Sequence, residues 1–175
     1  MGTVATRKGD SPQVRRQTKD TALHAADPWL QIAVRYLARF DRTQRQVEQF
    51  LRVRGASPVQ ADRAIGRLVT LRYLDDRAYA KRWIETRLAR RPMGRERLRV
   101  ELLAKGINEV LAEDAIRKAL TEADEETLAR RALGIRQRRS RRLSPQQAFR
   151  LLRQWGFEED TIARIIGKGE DTEGP

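Results

Sequence analysis

Two adjacent carboxylates, Asp75 and Asp76, and two dense runs of arginine are the residues of this chain whose types and spacing could do chemistry. Paired carboxylates can hold a divalent metal against a phosphodiester, which is nuclease chemistry. The same pair also precedes a helix-forming stretch, where an aspartate accepts hydrogen bonds from the first turn and faces the positive end of the dipole. Capping is the preferred reading, and neither a metal nor another cofactor is expected. The arginines point to binding. From Arg77 to Arg99 nine basic residues stand against Glu85 and Glu96, and from Arg130 to Arg142 seven arginines stand with no acid among them. The planar guanidinium fork suits phosphate or carboxylate better than an ammonium does. Taken singly these are solvated helix faces. Taken together they predict a polyanion-facing surface made of Lys81, Arg82, Arg90, Arg91, Arg95, Arg97, Arg130, Arg131, Arg136, Arg138, Arg139, Arg141 and Arg142.

Composition removes most other chemistry. The 175 residues include no cysteine and one histidine, His24. Thiolate metal sites, disulfides, cysteine nucleophiles and a Ser-His-Asp relay therefore lack their parts. Apolar residues make up 39% and charged residues 35%, so any core is thin relative to its surface. Uncharged apolar runs are far shorter than the ~20 residues that cross a bilayer, and a cytoplasmic protein without membrane contact is expected. A net charge of +13 attracts polyanions.

The elements that must position these side chains are helical. Trp29, Ile32, Ala33, Tyr36, Leu37 and Phe40 recur at helix spacing behind Asp27 and Pro28, an N-cap and a first-turn proline. Thr43 with Gln46, Ser57 with Gln60, and Ser144 with Gln147 fit the capping box. No segment alternates as a strand does.

Sliding the sequence against itself exposes a repeat anchored on Gly55, Gly106 and Gly156. Leu51, Leu102 and Leu152 stand four residues before them; Val47, Leu98 and Ala148 eight before; Thr43, Gly94 and Ser144 twelve before; Ile65, Ile116 and Ile166 ten after. Glycine at a sharp helix stop tolerates the positive φ that other residues resist. A three-helix unit of this size has little interior of its own, so stacking is the way to bury its remaining apolar stripes. The expected fold is all-α, three tandem three-helix repeats forming an elongated, curved array. A disordered basic leader over 1–26 is expected before repeats over 27–74, 75–120 and 121–166, with a disordered acidic tail over 167–175.

Arg87 falls inside the apolar face set by Tyr79, Ala80, Trp83, Ile84 and Leu88, and Glu101 stands where other repeats place Phe50 and Leu151. A partly buried Arg87–Glu101 pair is inferred, since an unpaired charge there would be costly; the alternative is snorkelling of Arg87 along its stem. Trp29, Trp83 and Trp155 are read as packing residues rather than base-stacking ones.

The stretch Tyr73-Leu-Asp-Asp-Arg-Ala-Tyr-Ala-Lys-Arg-Trp83, continued by Arg87, Gly94 and Glu101-Leu-Leu-Ala-Lys-Gly-Ile107, resembles the central signature of the RecX family of recombinase regulators. Ala33 to Leu37 with Thr43 and Leu51 to Gly55 resembles the family's first repeat, and Leu151 to Phe157 with Ile162 its last. The resemblance implies a non-enzymatic regulator that binds the RecA recombinase filament on single-stranded DNA and inhibits strand exchange and ATP hydrolysis. That would place it in recombination, DNA repair and the SOS response; a monomer is expected, with single-stranded DNA as a second candidate partner. The competing expectation is a direct DNA binder, with the helix pairs around Gly55 or Gly156 as helix-turn-helix units. Against it, Ala61, Asp62, Ala64 and Ile65, and Asp160, Ile162 and Ile166, offer few side chains that read base edges.

Overall fold

A computed structural model of the chain describes residues 27–138 and 143–167, and every regular element in them is a helix. In chain order these are α1 (Pro28–Leu37), α2 (Gln44–Val53), α3 (Pro58–Thr70), α4 (Asp76–Arg90), α5 (Arg95–Ala104), α6 (Glu109–Ala123), α7 (Glu125–Gln137), α8 (Pro145–Gln154) and α9 (Glu159–Gly167). The fold is all-α.

The register of the repeat reappears in local geometry. The three glycine-terminated helices, α2, α5 and α8, are each ten residues long and bury Val47 with Leu51, Leu98 with Leu102, and Ala148 with Leu152. Residues four apart share one helix face, so each pair forms a short apolar stripe. Each helix stops in the same way. The N–H of Ala56, Ile107 and Phe157 donates to the carbonyl of Leu51, Leu102 and Leu152 at 3.1 Å, with φ of 95°, 83° and 80° at Gly55, Gly106 and Gly156. This is the double-bonded helix stop in which glycine supplies the left-handed residue.

Starts are equally regular. Asp27, Asp75 and Asp124 are the N-caps of α1, α4 and α7, and Ser57 and Ser144 form reciprocal capping boxes with Gln60 and Gln147. Helix α6 runs past the expected repeat boundary at 120 and ends at Ala123. The break comes from Asp124, whose φ of 50° redirects the chain while its carboxylate accepts from Thr127 N–H at 3.1 Å.

Two compact units divide the described residues. One comprises residues up to 41 with 47–74; the other comprises 42–46 with everything from 75 onward. In the first, α1 packs on α3 around Leu30, Ala33, Val47, Leu51, Ala61, Ala64 and Leu68. In the second, α4 and α5 pack on α6, while α7, α8 and α9 pack on one another. Its core is continuous from Ala80 to Ile165, and Leu98, Leu102, Ile116, Leu152 and Ile162 have no exposed surface. Each such side chain contributes about 1.5–3 kcal/mol relative to exposure.

Candidate functional site

Arginines on a thin helical scaffold find carboxylates wherever the sequence places them within reach, and the second unit is full of such encounters. Lys81 reaches Glu85 at 3.8 Å, Arg95 reaches Glu113 at 3.0 Å and Glu158 at 3.2 Å, and Arg130 reaches Glu126 at 3.5 Å. Arg99 meets Glu113 at 3.5 Å, and Asp114 gathers Arg77, Arg117 and Lys118 within 2.9 Å. Those three cations hold the Asp114 carboxyl below the ordinary aspartate range, the Lys118 hydrogen bond foremost. Much of the basic run on α4 and α5 is thus committed inside the molecule. An exposed ion pair contributes little to stability, but it lowers the charge left for a partner.

Five of the predicted arginines are left over. Among the described residues Arg90, Arg91, Arg131, Arg136 and Arg138 form no ion pair with a carboxylate, and all five are exposed. Arg90 and Arg91 end α4. Arg131 projects from α7 to the same point and donates to the carbonyls of Leu88 at 3.5 Å and Ala89 at 3.4 Å. Cations are favoured at a helix C-terminus, where unsatisfied carbonyls carry partial negative charge. The Arg91 guanidinium lies 4.2 Å from the centre of the Trp155 ring, a cation–π contact. Arg136 and Arg138 follow Arg131 along α7 and its C-cap. Arg82 is exposed on α4. Arg139, Arg141 and Arg142 lie outside the described residues.

Arg87 and Glu101 do meet: Arg87 Nε donates to Glu101 Oε2 at 3.0 Å, and Arg97 Nε donates to Glu101 Oε1 at 2.9 Å. Burial pushes the Glu101 carboxyl up, but hydrogen bonds and charge from Arg87 and Arg97 outweigh it and hold the group below its ordinary range. Trp83 packs against the core with Arg87 and Lys105 over its ring at 5.2 and 5.5 Å. Trp155 likewise packs against the core.

The start of α5 has no side-chain cap, because Gly94 supplies none. Its donors are met from other elements. Gly94 N–H donates to Trp155 C=O and Glu96 N–H to Gly156 C=O, both at 3.0 Å, and Arg95 N–H donates to Glu125 Oε1 at 3.1 Å. A Cβ on Gly94 would lie 2.3 Å from the Gly156 carbonyl oxygen, so only glycine lets the two backbones approach. The start of α2 repeats the arrangement within the same unit. Thr43 Oγ1 donates to Lys105 C=O at 2.7 Å, and Gln44 N–H donates to Asp76 Oδ1 at 2.9 Å. Asp75, for its part, accepts from Ala78 N–H at 2.9 Å, so both carboxylates of the pair are engaged as helix caps.

Residues 30–68 and 75–116 match the family models described as the first and second three-helix domains of RecX. Across longer spans, the regulatory protein RecX of Streptomyces coelicolor is 31% identical over 81% of this chain and 80% of its own length. That of a Thermus thermophilus strain is 37% identical over 73% of this chain and 82% of its own. The chain belongs to the RecX family. A crystal structure of RecX from Lactobacillus salivarius superposes with a TM-score of 0.69 at 26% identity, covering 81% of this chain and 94% of that one.

Members carry the name of regulatory protein. No cluster of three or more histidine or acidic side chains that could hold a metal occurs among the described residues, and no described helix is long and apolar enough to cross a membrane. Sequence reasoning missed the roles of Asp76 and Glu125 as acceptors for another helix. Their signal was the shared position one residue after the N-caps Asp75 and Asp124.

Those two carboxylates set a pH dependence opposite to that of Glu101. Burial raises Asp76, opposed by the Gln44 N–H and aided by Asp75; burial raises Glu125, opposed by the Arg95 N–H and aided by Glu158. A carboxyl raised on folding contributes stability at low pH that is lost as pH climbs through its raised value. A lowered one, Glu101, contributes stability at higher pH that is lost as pH falls through its lowered value. Asp76→Asn keeps an oxygen for the Gln44 N–H and removes the buried charge. It is expected to match or exceed the parent at neutral pH and to flatten the loss above the ordinary carboxylate range. Glu101→Gln is expected to cost about 2 kcal/mol at neutral pH and to flatten the acid limb. Urea unfolding midpoints across a pH series read both, and an Asp76→Asn variant as unstable as Asp76→Ala would contradict the assignment.

Proposed function

We propose that this protein is a cytoplasmic regulator without chemistry of its own, which binds the filament of the RecA recombinase on single-stranded DNA and lowers its strand exchange and ATP turnover. Family membership supports the regulatory class. The observation that carries the binding half is that Arg90, Arg91 and Arg131 meet at the end of α4, and with Arg136 and Arg138 are exposed and without carboxylate partners among the described residues. Guanidinium groups held apart from acids present a field to a polyanion, and a filament on single-stranded DNA is a long anionic surface. Several weak contacts along one rigid scaffold then act together through effective concentration.

The test is recombinase ATP turnover on single-stranded DNA while this protein is titrated in. Turnover should fall to a plateau, and the concentration needed should rise steeply with added salt, because counterions released from the anionic surface drive much of the association. A flat titration at low salt would remove the reading. A sequence-dependent footprint on duplex DNA in the absence of recombinase would replace it with the direct-binder reading.

A further inference from the structure

The joints around α2 and α5 obey one rule. The first residue of the glycine-terminated helix donates its N–H to the carboxylate of the first residue of the next repeat's leading helix, Gln44 to Asp76 and Arg95 to Glu125. The residue before that helix donates to the carbonyl preceding the next glycine stop, Thr43 to Lys105 and Gly94 to Trp155. Side chain or backbone from the helix start then lies over the stop: Arg45 over Gly106, Arg97 over Gly156.

Three repeats make two such joints and leave one donor half and one acceptor half over. The spare donor is the start of α8 and the spare acceptor is the start of α1 with the Gly55 stop, around which a Cβ would meet nothing. Both of these spare positions are proline. Pro145 stands where Gln44 and Arg95 supply an N–H, and Pro28 stands where Asp76 and Glu125 supply a carboxylate. Proline has no N–H to give and no oxygen on its side chain to receive one.

We propose that Pro28 and Pro145 close the chain's two spare joint halves against a second copy of itself. The need is physical. A donor half and an acceptor half on different parts of one molecule make a heterologous contact, and such contacts build open-ended chains unless they close into a ring. A regulator built of stacking repeats would otherwise polymerise head to tail. Proline at the first helical position serves its own helix as well, as Pro58 does in α3, so the two prolines cost their helices nothing.

Sedimentation equilibrium over about a hundredfold range of concentration tests this on the full chain. The natural chain and the single variants Pro28→Asp and Pro145→Gln should each hold the mass of one chain. Mixed in equal amounts, the two single variants should pair to roughly twofold mass, because one supplies the carboxylate and the other the N–H. The double variant P28D/P145Q should grow beyond a pair as concentration rises, and P28A/P145Q should not. Should P28D/P145Q lose helicity by circular dichroism, P28E/P145A carries the same two groups and is read in its place. Self-association of the natural chain, or a helical mixture and double variant that remain at one chain's mass, would overturn the proposal.

Discussion

Reversing both charges at the end of α4, in R90E/R91E, is expected to raise the concentration needed for half-inhibition of recombinase ATP turnover by about 100-fold. Like charges brought face to face across an interface cost several kcal/mol, and about 3 kcal/mol corresponds to that factor. Neither side chain is buried or engaged with a carboxylate, so helicity should be retained, while loss of the Arg91–Trp155 contact and of the favourable charge at the end of α4 should lower stability by about 1–2 kcal/mol, too little to unfold the chain. Lys81→Glu is the matched control. It reverses another exposed charge on the same helix, but one already facing Glu85 at 3.8 Å, and its effect should remain within about 3-fold. The slope of half-inhibition against salt should also become shallower in R90E/R91E, since fewer counterions are released. R90E/R91E removes twice the charge that Lys81→Glu does, so an effect of Lys81→Glu about half as large on a logarithmic scale would mean that inhibition follows overall charge rather than the Arg90–Arg91–Arg131 patch. No effect of R90E/R91E would remove that patch from the interface.

How far the sequence could be read depended on whether a feature was local. The glycine stops were legible because a helix ending needs positive φ within a few residues of a periodic apolar stripe, and Leu51, Leu102 and Leu152 mark the stripe directly. The Arg87–Glu101 encounter was legible because a charge inside an apolar face demands a partner, and Glu101 occupied an otherwise apolar repeat position. The division of arginines into engaged and unengaged was not legible. It depends on α6 carrying Glu109, Glu113 and Asp114 to the flank of α4 and α5, a tertiary fact that no spacing encodes. The joints were hidden for a related reason: Gly94 looked like a plausible helix start, whereas its purpose is to let the Gly156 carbonyl approach.

That purpose separates two glycines that look equivalent in the repeat. Gly55→Ala should cost about 1–2 kcal/mol, the ordinary expense of placing an L-residue in the left-handed region, because nothing crowds the added Cβ. Gly156→Ala adds to the same expense a Cβ that would sit 2.3 Å from the Arg97 backbone nitrogen. Backbone cannot move aside as a flexible side chain can, so the joint must open. Opening it takes the donors of Gly94 and Glu96 away from the carbonyls of Trp155 and Gly156, leaving polar groups unmet in a partly buried seam. A loss of at least ~4 kcal/mol is expected, read as urea unfolding of the second unit through its tryptophans Trp83 and Trp155. Gly94→Ser sharpens the comparison. Serine is the residue at the corresponding start of α8 and a better N-cap than glycine, so by local rules it should stabilise α5. The close Gly156 carbonyl predicts the reverse. If Gly94→Ser stabilises the protein, or if Gly156→Ala costs no more than Gly55→Ala, then backbone contact between successive repeats is not what fixes these glycines.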